Sequence, residues 1–143
     1  MSIQLRRAEE KDARQLMALL NLDINITGSE EALFTEVDVL DYLAREDYIV
    51  FVAEDVKAQQ LSGLITGRIY REYASIEFFI VEEACRNQGI GTALFDCFEK
   101  HVKSCGIGFV ETMTETENRL IQNILEKRGY RKGKTFVHWF SRC

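Results

Sequence analysis

Ile76-Glu77-Phe78-Phe79-Ile80-Val81, followed by Arg86-Asn87-Gln88-Gly89-Ile90-Gly91-Thr92, is the stretch on which the reading of this chain turns. The first part is built of strand formers. From Gly89 the apolar period becomes helical: Ile90, Ala93, Leu94, Cys97, Phe98 and Val102 share one face, and Gly106 stops it. A strand, a glycine loop and a helix in that order make an anion site. Glycines let the backbone approach a ligand, and the unbonded N–H groups and dipole at the helix start point at whatever lies above them. Arg86 adds a positive charge. A dinucleotide fingerprint would need glycine where Leu94 stands, and a Walker A loop would need G-K-S/T, which is absent. A purely structural glycine turn remains the competing reading. The spacing from strand to glycines, and the Arg three residues ahead of them, favour the anion site.

Working outward, Ile3 to Arg6 alternates like a short strand, and Ala8 to Leu20 puts Ala13, Leu16, Met17 and Leu20 on one helical stripe. A shorter helix is expected over Val37 to Arg45, with Val37, Leu40 and Leu43 or Ala44 inward, after a bend at Gly28-Ser29. Tyr48 to Glu54 and Leu61 to Tyr70 read as strands. The second of these should form an antiparallel hairpin with Ser75–Val81 around Arg71-Glu72-Tyr73. Beyond the central helix come a strand over Ile107 to Met113 and capping-box spacing at Thr114-Glu115-Thr116-Glu117. A helix burying Leu120, Ile121, Ile124 and Leu125 should follow, ending at Gly129, with a last strand over Thr135 to Phe140. The order β-α-α-β-β-β-α-β-α-β describes an α/β (α+β) domain, a mixed central sheet flanked by about four helices, in one domain over residues 1–143.

Bulk properties exclude several classes. With 46% hydrophobic and 29% charged residues the chain is an ordinary globular sequence. No apolar run reaches membrane-span length, and Met1 to Arg7 has no apolar signal-peptide core, so a cytoplasmic protein without membrane attachment is expected. The net charge of -5 argues against nucleic-acid binding. Cys85, Cys97, Cys105 and Cys143 show no C-x-x-C spacing, so neither a metal site nor thioredoxin-like chemistry is expected. Acid is concentrated at Asp23, Glu30, Glu31, Glu36, Asp38, Asp41, Glu46 and Asp47, against Arg45 alone. Such a run reads as a solvated surface or as a field that attracts a cation such as an amine.

Arg86-x-x-Gly89-x-Gly91 after a strand resembles the acetyl-CoA signature R/Q-x-x-G-x-G/A of the GNAT superfamily of N-acetyltransferases. Leu5 to Ala13 is similar to the family's opening strand and first-helix start. Asn118 through Gly129-Tyr130 is similar to its closing N-x-x-A-x-x-L-Y-E-K-x-G-F pattern. The resemblance thus covers nearly the whole chain. It implies that acetyl-CoA lays its pyrophosphate on the amides of Arg86, Asn87, Gln88, Gly89, Ile90, Gly91 and Thr92. It also implies that the pantetheine arm pairs with the strand edge at Phe79, Ile80 and Val81, where that strand splays from the one over Ile107 to Met113, and that Asn118 touches the arm.

Acetylating an amine requires a neutral nitrogen, although an alkyl ammonium has a pKa of about 10.4. A carboxylate can remove that proton, and Glu77, on the strand beside the cofactor, is the candidate general base; alternation would place it on the face of Phe79 and Val81. An exposed strand carboxylate is its other reading, and Glu82 and Glu83 read as loop residues. The family's usual general acid, a Tyr, falls at Leu125 in this chain. Tyr70, Tyr73 or solvent would then protonate the leaving thiolate, and Tyr130 reads as packing. The implied activity is acetyl transfer to a primary amine of a small cationic molecule or protein. The alternative is a non-catalytic acetyl-CoA-binding sensor or partner module. The resemblance also implies a homodimer through the last strand.

Overall fold

The computed structural model describes residues 2–22 and 33–143. The chain divides into two compact units, Met1–Thr112 and Met113–Cys143.

The first unit is a five-stranded sheet with helices on both faces. β1 (Ile3–Arg7), β2 (Tyr48–Asp55), β3 (Gln60–Ile69) and β4 (Ala74–Val81) form an antiparallel meander, and β5 (Val110–Thr112) joins β4 in parallel. α1 (Ala13–Leu20) and α2 (Glu36–Ala44) cover one face, and α3 (Ile90–Ser104) the other. Alternation along the strands sorts the core. Tyr48, Val50, Val52, Leu64 and Ile80 pack with Ala13, Leu16 and Leu20 of α1 and Val39 of α2. Phe79 turns the other way, onto Phe95 of α3, with ring centroids 4.7 Å apart. Arg6 anchors the start of α1. Its guanidinium donates to both Asp12 carboxylate oxygens at 2.7 and 2.8 Å and to Glu54 at 2.9 Å.

The expected hairpin forms, with Tyr70 N–H donating to the Tyr73 carbonyl and the two rings stacked at 4.5 Å. α2 differs in which face it buries. Val39, Tyr42 and Leu43 turn inward, whereas Val37 stands exposed. A hydropathy reading passes over Tyr42, but a tyrosine ring is largely apolar surface and packs as such. Of the acidic segment, Asp23, Glu30, Glu31 and the Gly28-Ser29 bend lie outside the described residues. Asp38 is committed to the α2 cap, where it accepts from the Thr35 N–H. Asp47 is bonded to both Arg45 and Arg68, and these bonds, with Arg45 the stronger influence, hold its carboxyl down at about 2. The acid field is therefore partly neutralised.

The second unit holds α4 (Arg119–Lys127). Its cap is Asn118, whose side chain accepts from the Ile121 N–H at 3.2 Å, and not the Thr114–Glu117 box. Asn is as good an N-cap as Thr, and here it lies one residue before the helix. Residues 130–143 enter neither helix nor strand. The expected strand over Thr135–Phe140 is thus not formed: strand-forming composition supplies only half of what a strand requires, and among the described residues no ladder partner takes up its backbone.

Candidate functional site

The pairing of β3 with β4 slips at one place. Thr66 faces Phe78 while Gly67 faces Ile76, which leaves Glu77 as the extra residue of a β-bulge. A bulge interrupts alternation and re-aims a side chain. Glu77 consequently leaves the face of Phe79 and Val81 expected for it. It lies instead on the α1/α2 face with Phe78, where its Oε2 accepts from the Tyr48 hydroxyl at 2.6 Å. Tyr48 is 5% exposed, lies 3.4 Å from the Thr66 hydroxyl, and stacks on Tyr42 at 4.8 Å with ring planes 14° apart. Burial, reinforced by the bond to Glu77, holds the Tyr48 hydroxyl far above the usual tyrosine range. Burial and then the Glu77 charge push Tyr42 upward as well. Phe34 closes this wall edge-on against Phe78 at 5.3 Å.

The same bulge marks where β4 and β5 part. Their parallel ladder consists of Ala74–Val110, Ser75–Glu111 and Ile76–Thr112, and it ends there. From Glu77 to Val81, β4 continues without a β5 partner. The Glu82 N–H donates to Ser62 of β3, so alternation turns the main chain of Ile80 toward β3 and those of Phe79 and Val81 toward the open edge. Ile80, with its side chain in the core, is therefore withdrawn from the expected set of edge groups. Phe79 and Val81 remain in it.

A single 3-10 turn, Glu83–Cys85, carries the chain from β4 to the loop. Arg86 folds back to donate from Nε to the Val81 carbonyl at 3.0 Å. Asn87 and Gly89 both have left-handed backbones, with φ of 63° and 79°. Gly89 is the N-cap of α3 and brings no side chain, so among the described residues the N–H groups of Ile90, Gly91 and Thr92 receive no side-chain acceptor. A Cβ at Gly89 would meet nothing within 4 Å. A Cβ at Gly91 would meet the Phe79 ring at 2.9 Å; this glycine brings the helix start down onto β4. Loop and strand edge thus adjoin: an uncapped helix start lies beside an edge that has no ladder partner among the described residues, with the Val81 carbonyl taken by Arg86.

Other candidates stand apart. His101 packs edge-on against Phe51 at 5.9 Å, on the α3 face of the sheet, opposite Glu77. His138 stacks on Phe140 within the second unit. All four cysteines are free thiols. Among the described residues no cluster of His, Cys, Asp and Glu could hold a metal, and no helix is long and apolar enough to cross a membrane. The α1/α2 face encloses only a gap of about 10 Å³. A broader groove of about 540 Å³ lies between the end of α1 and the β2–β3 turn.

The family model for the acetyltransferase (GNAT) family matches residues 13–130. The chain belongs to that family. A solved GNAT structure, the PaiA N-acetyltransferase of Thermoplasma acidophilum in complex with coenzyme A, is similar with a TM-score of 0.84 at 20% identity, covering 95% of this chain and 94% of that one. An acetyltransferase of Trypanosoma brucei is similar with a TM-score of 0.81 at 19% identity, over 98% of this chain and 100% of that one. The glucosamine-6-phosphate N-acetyltransferase of Arabidopsis thaliana gives 0.78 at 18% identity, over 99% and 100%. In sequence, the chain is 34% identical over 79 residues to the uncharacterized protein YxbD of Bacillus subtilis (strain 168), a match spanning 55% of this chain and 48% of that protein's length.

Tyr48 and Tyr42 are the site residues that sequence reasoning missed. A signal for Tyr48 exists: alternation places it beside Val50 and Val52, inside the core, and a buried hydroxyl needs a polar partner on a neighbouring strand. Glu77 and Thr66 are the polar residues offered there.

Proposed function

We propose that this GNAT-family chain is an N-acetyltransferase that binds acetyl-CoA along the Arg86–Thr92 loop and the open β4 edge, and acetylates a primary amine bound beside it. The observation that carries this reading is the adjacency of the uncapped α3 start to a strand edge released by the bulge. The fit is physical. A pyrophosphate needs several N–H donors and no competing side chain, which Gly89 ensures. An amide-bearing arm needs strand-edge partners, which the Phe79 main chain and the Val81 N–H offer, the Val81 carbonyl being held by Arg86. Asn118, which the family pattern associates with the arm, uses its side-chain oxygen to cap α4. The coenzyme A held by the Thermoplasma relative, and the bisubstrate analogue CoA-S-monomethyl-acetylneamine held by AAC(6')-Iy, support an acyl-CoA donor and an amine acceptor.

In this reaction the amine nitrogen attacks the thioester carbon directly while both substrates are bound. A C–N bond forms, the C–S bond breaks, and the electron pair leaves on sulfur. Glu77 takes the proton shed by the nitrogen, through Oε1, which has no hydrogen-bond partner among the described residues. An edge N–H of β4 is the donor for the thioester oxygen. Leu125 has no proton to give, so solvent protonates the thiolate, whose ordinary pKa is about 8.5. A cationic acceptor fits the acidic residues of α2; the expected homodimer through the last strand loses its basis, because no strand forms over Thr135–Phe140.

Leu125 favours a second reading, a non-catalytic acetyl-CoA-binding module. Glu77→Gln separates the two when thiol release is followed over a panel of amines and acetyl-CoA binding by calorimetry. The enzyme reading expects kcat to fall about 100-fold or more with binding unchanged. Binding by the wild type without turnover of any amine would favour the module. A Glu77→Gln variant at full rate would remove Glu77 from the reaction.

A further inference from the structure

We propose that Tyr48 is a positioning residue for the reaction, holding the Glu77 carboxylate by Oε2 so that Oε1 is presented to the amine. The inference rests on the reading of Glu77 as the base. Three observations carry it. First, the hydroxyl-to-carboxylate distance of 2.6 Å is that of a charge-assisted O–H···O bond. Second, Tyr48 is itself immobile: 5% exposed at the first position of β2, and clamped against Tyr42 by a parallel stack at 4.8 Å. Third, the carboxylate it holds sits on an exposed bulge residue, where a glutamate side chain otherwise samples many rotamers.

A buried tyrosine hydroxyl requires some partner, so the bond could be read as satisfying Tyr48 alone. Thr66 argues against that. Its hydroxyl stands 3.4 Å from the same oxygen and could satisfy the tyrosine without Glu77, yet the shorter bond goes to the carboxylate. The bulge that turns Glu77 out of alternation is what brings it within reach. The remaining groups near the carboxylate are Tyr42, from α2, and Arg45, at the end of α2, whose charge is felt there but whose own hydrogen bonds go to Asp47. Among the described residues only Tyr48 donates to it. Misplacing a catalytic group by about 1 Å can cost about 100-fold in rate. The Tyr48 ring, buried and stacked on Tyr42, is the anchor for that orientation.

The test is a double-mutant cycle of Tyr48→Phe and Glu77→Gln, with Thr66→Ala as control, using acetyl-CoA and spermidine. Phe keeps the stack and the core volume and removes only the hydroxyl. The expected result is a kcat about 10-fold lower in Tyr48→Phe, with the KM for acetyl-CoA unchanged and Thr66→Ala near wild type. In the Glu77→Gln background, Tyr48→Phe should cost nothing further. A Tyr48→Phe variant at the wild-type kcat, beside a slow Glu77→Gln, would overturn the inference and leave the base intact. An equal loss from Tyr48→Phe in both backgrounds would also overturn it, as the mark of a purely structural role. A fast Glu77→Gln would sink the base itself and the inference with it. A crystal structure of Tyr48→Phe needs no acceptor: Glu77 should leave its wild-type rotamer, and an unmoved carboxylate refutes the proposal.

Discussion

Replacing Gly89 by Trp should abolish acetyl-CoA binding, and replacing it by Ala should not. At φ 79° and ψ 3° this glycine occupies the left-handed region, where any L side chain costs about 1–2 kcal/mol. For a chain of this size that is a fall of roughly 3–7 °C in Tm, and both variants should show it. They differ in what they place above the loop. A Cβ at Gly89 points into open space, so Ala adds one methyl there and meets nothing. Trp fills the same space with an indole, over the N–H groups of Ile90, Gly91 and Thr92. A hydrogen bond to a charged acceptor contributes about 1.5–3 kcal/mol. Loss of two such bonds amounts to about 3–6 kcal/mol, a weakening of roughly 100-fold or more. Calorimetric titration with acetyl-CoA, beside thermal melts of all three proteins, reads both quantities. A Trp variant that binds within a few-fold of wild type would show that the loop is not the phosphate seat. An Ala variant that loses as much as Trp would assign the loss to backbone strain instead of occlusion.

Arg86→Gln should weaken acetyl-CoA about 10-fold in the same titration, and the deficit should shrink as salt is raised, because an exposed guanidinium acts on phosphate through a screened charge. A salt-independent loss would make Arg86 a loop brace, through its bond to the Val81 carbonyl, and not a phosphate ligand. Asp12→Ala should destabilise the first unit by about 2–3 kcal/mol in urea at neutral pH, since it leaves the half-buried Arg6 without its bidentate partner. Burial opposes ionisation of Asp12, but the bonds from Arg6 and the Glu9 N–H outweigh it and lower the carboxyl below 3.8. Its contribution is therefore present above the unfolded-state pKa and lost as pH falls through the folded one. The gap between wild type and variant should narrow below about pH 4, and an equal gap at pH 2.5 and 7 would refute the linkage.

Much of the fold was legible because most elements here declare themselves locally. α1, α3 and the three long strands each carry a run of one period, bounded by a glycine or a polar turn. The α3 start was legible for a further reason: two glycines and an arginine in fixed register state a backbone requirement that few other structures impose. Reading failed where an element depends on a distant partner. Thr135–Phe140 has strand composition and no ladder. In α2, Tyr42 presents an apolar ring that a hydropathy pattern counts as polar, so the buried stripe was read through Val37 and Leu40 instead of Val39 and Tyr42. The α4 cap was misplaced because Thr114 and Asn118 are both good caps, and sequence alone does not choose between them.

Glu77 shows the deeper limit. The sequence singles it out as a candidate base, but its direction was not legible, because alternation holds only while the register holds. The slip between Thr66 and Gly67 is a property of two strands together and has no mark in β4 alone. Yet that one extra residue accounts for three features of the site at once. It turns the carboxylate from the α3 face to Tyr48. It coincides with the last β4–β5 pair, beyond which the Phe79 and Val81 edge is released. And it restores alternation in time for Phe79 to meet Gly91, seating the helix start beside that edge. A β4 without the bulge would carry Glu77 on the face where cofactor-loop residues pack, out of reach of its tyrosine. The proposed base, the unpaired edge and the proposed phosphate loop thus all adjoin one irregularity. This is why residues separated along the chain from Tyr48 to Thr92 can form a single site.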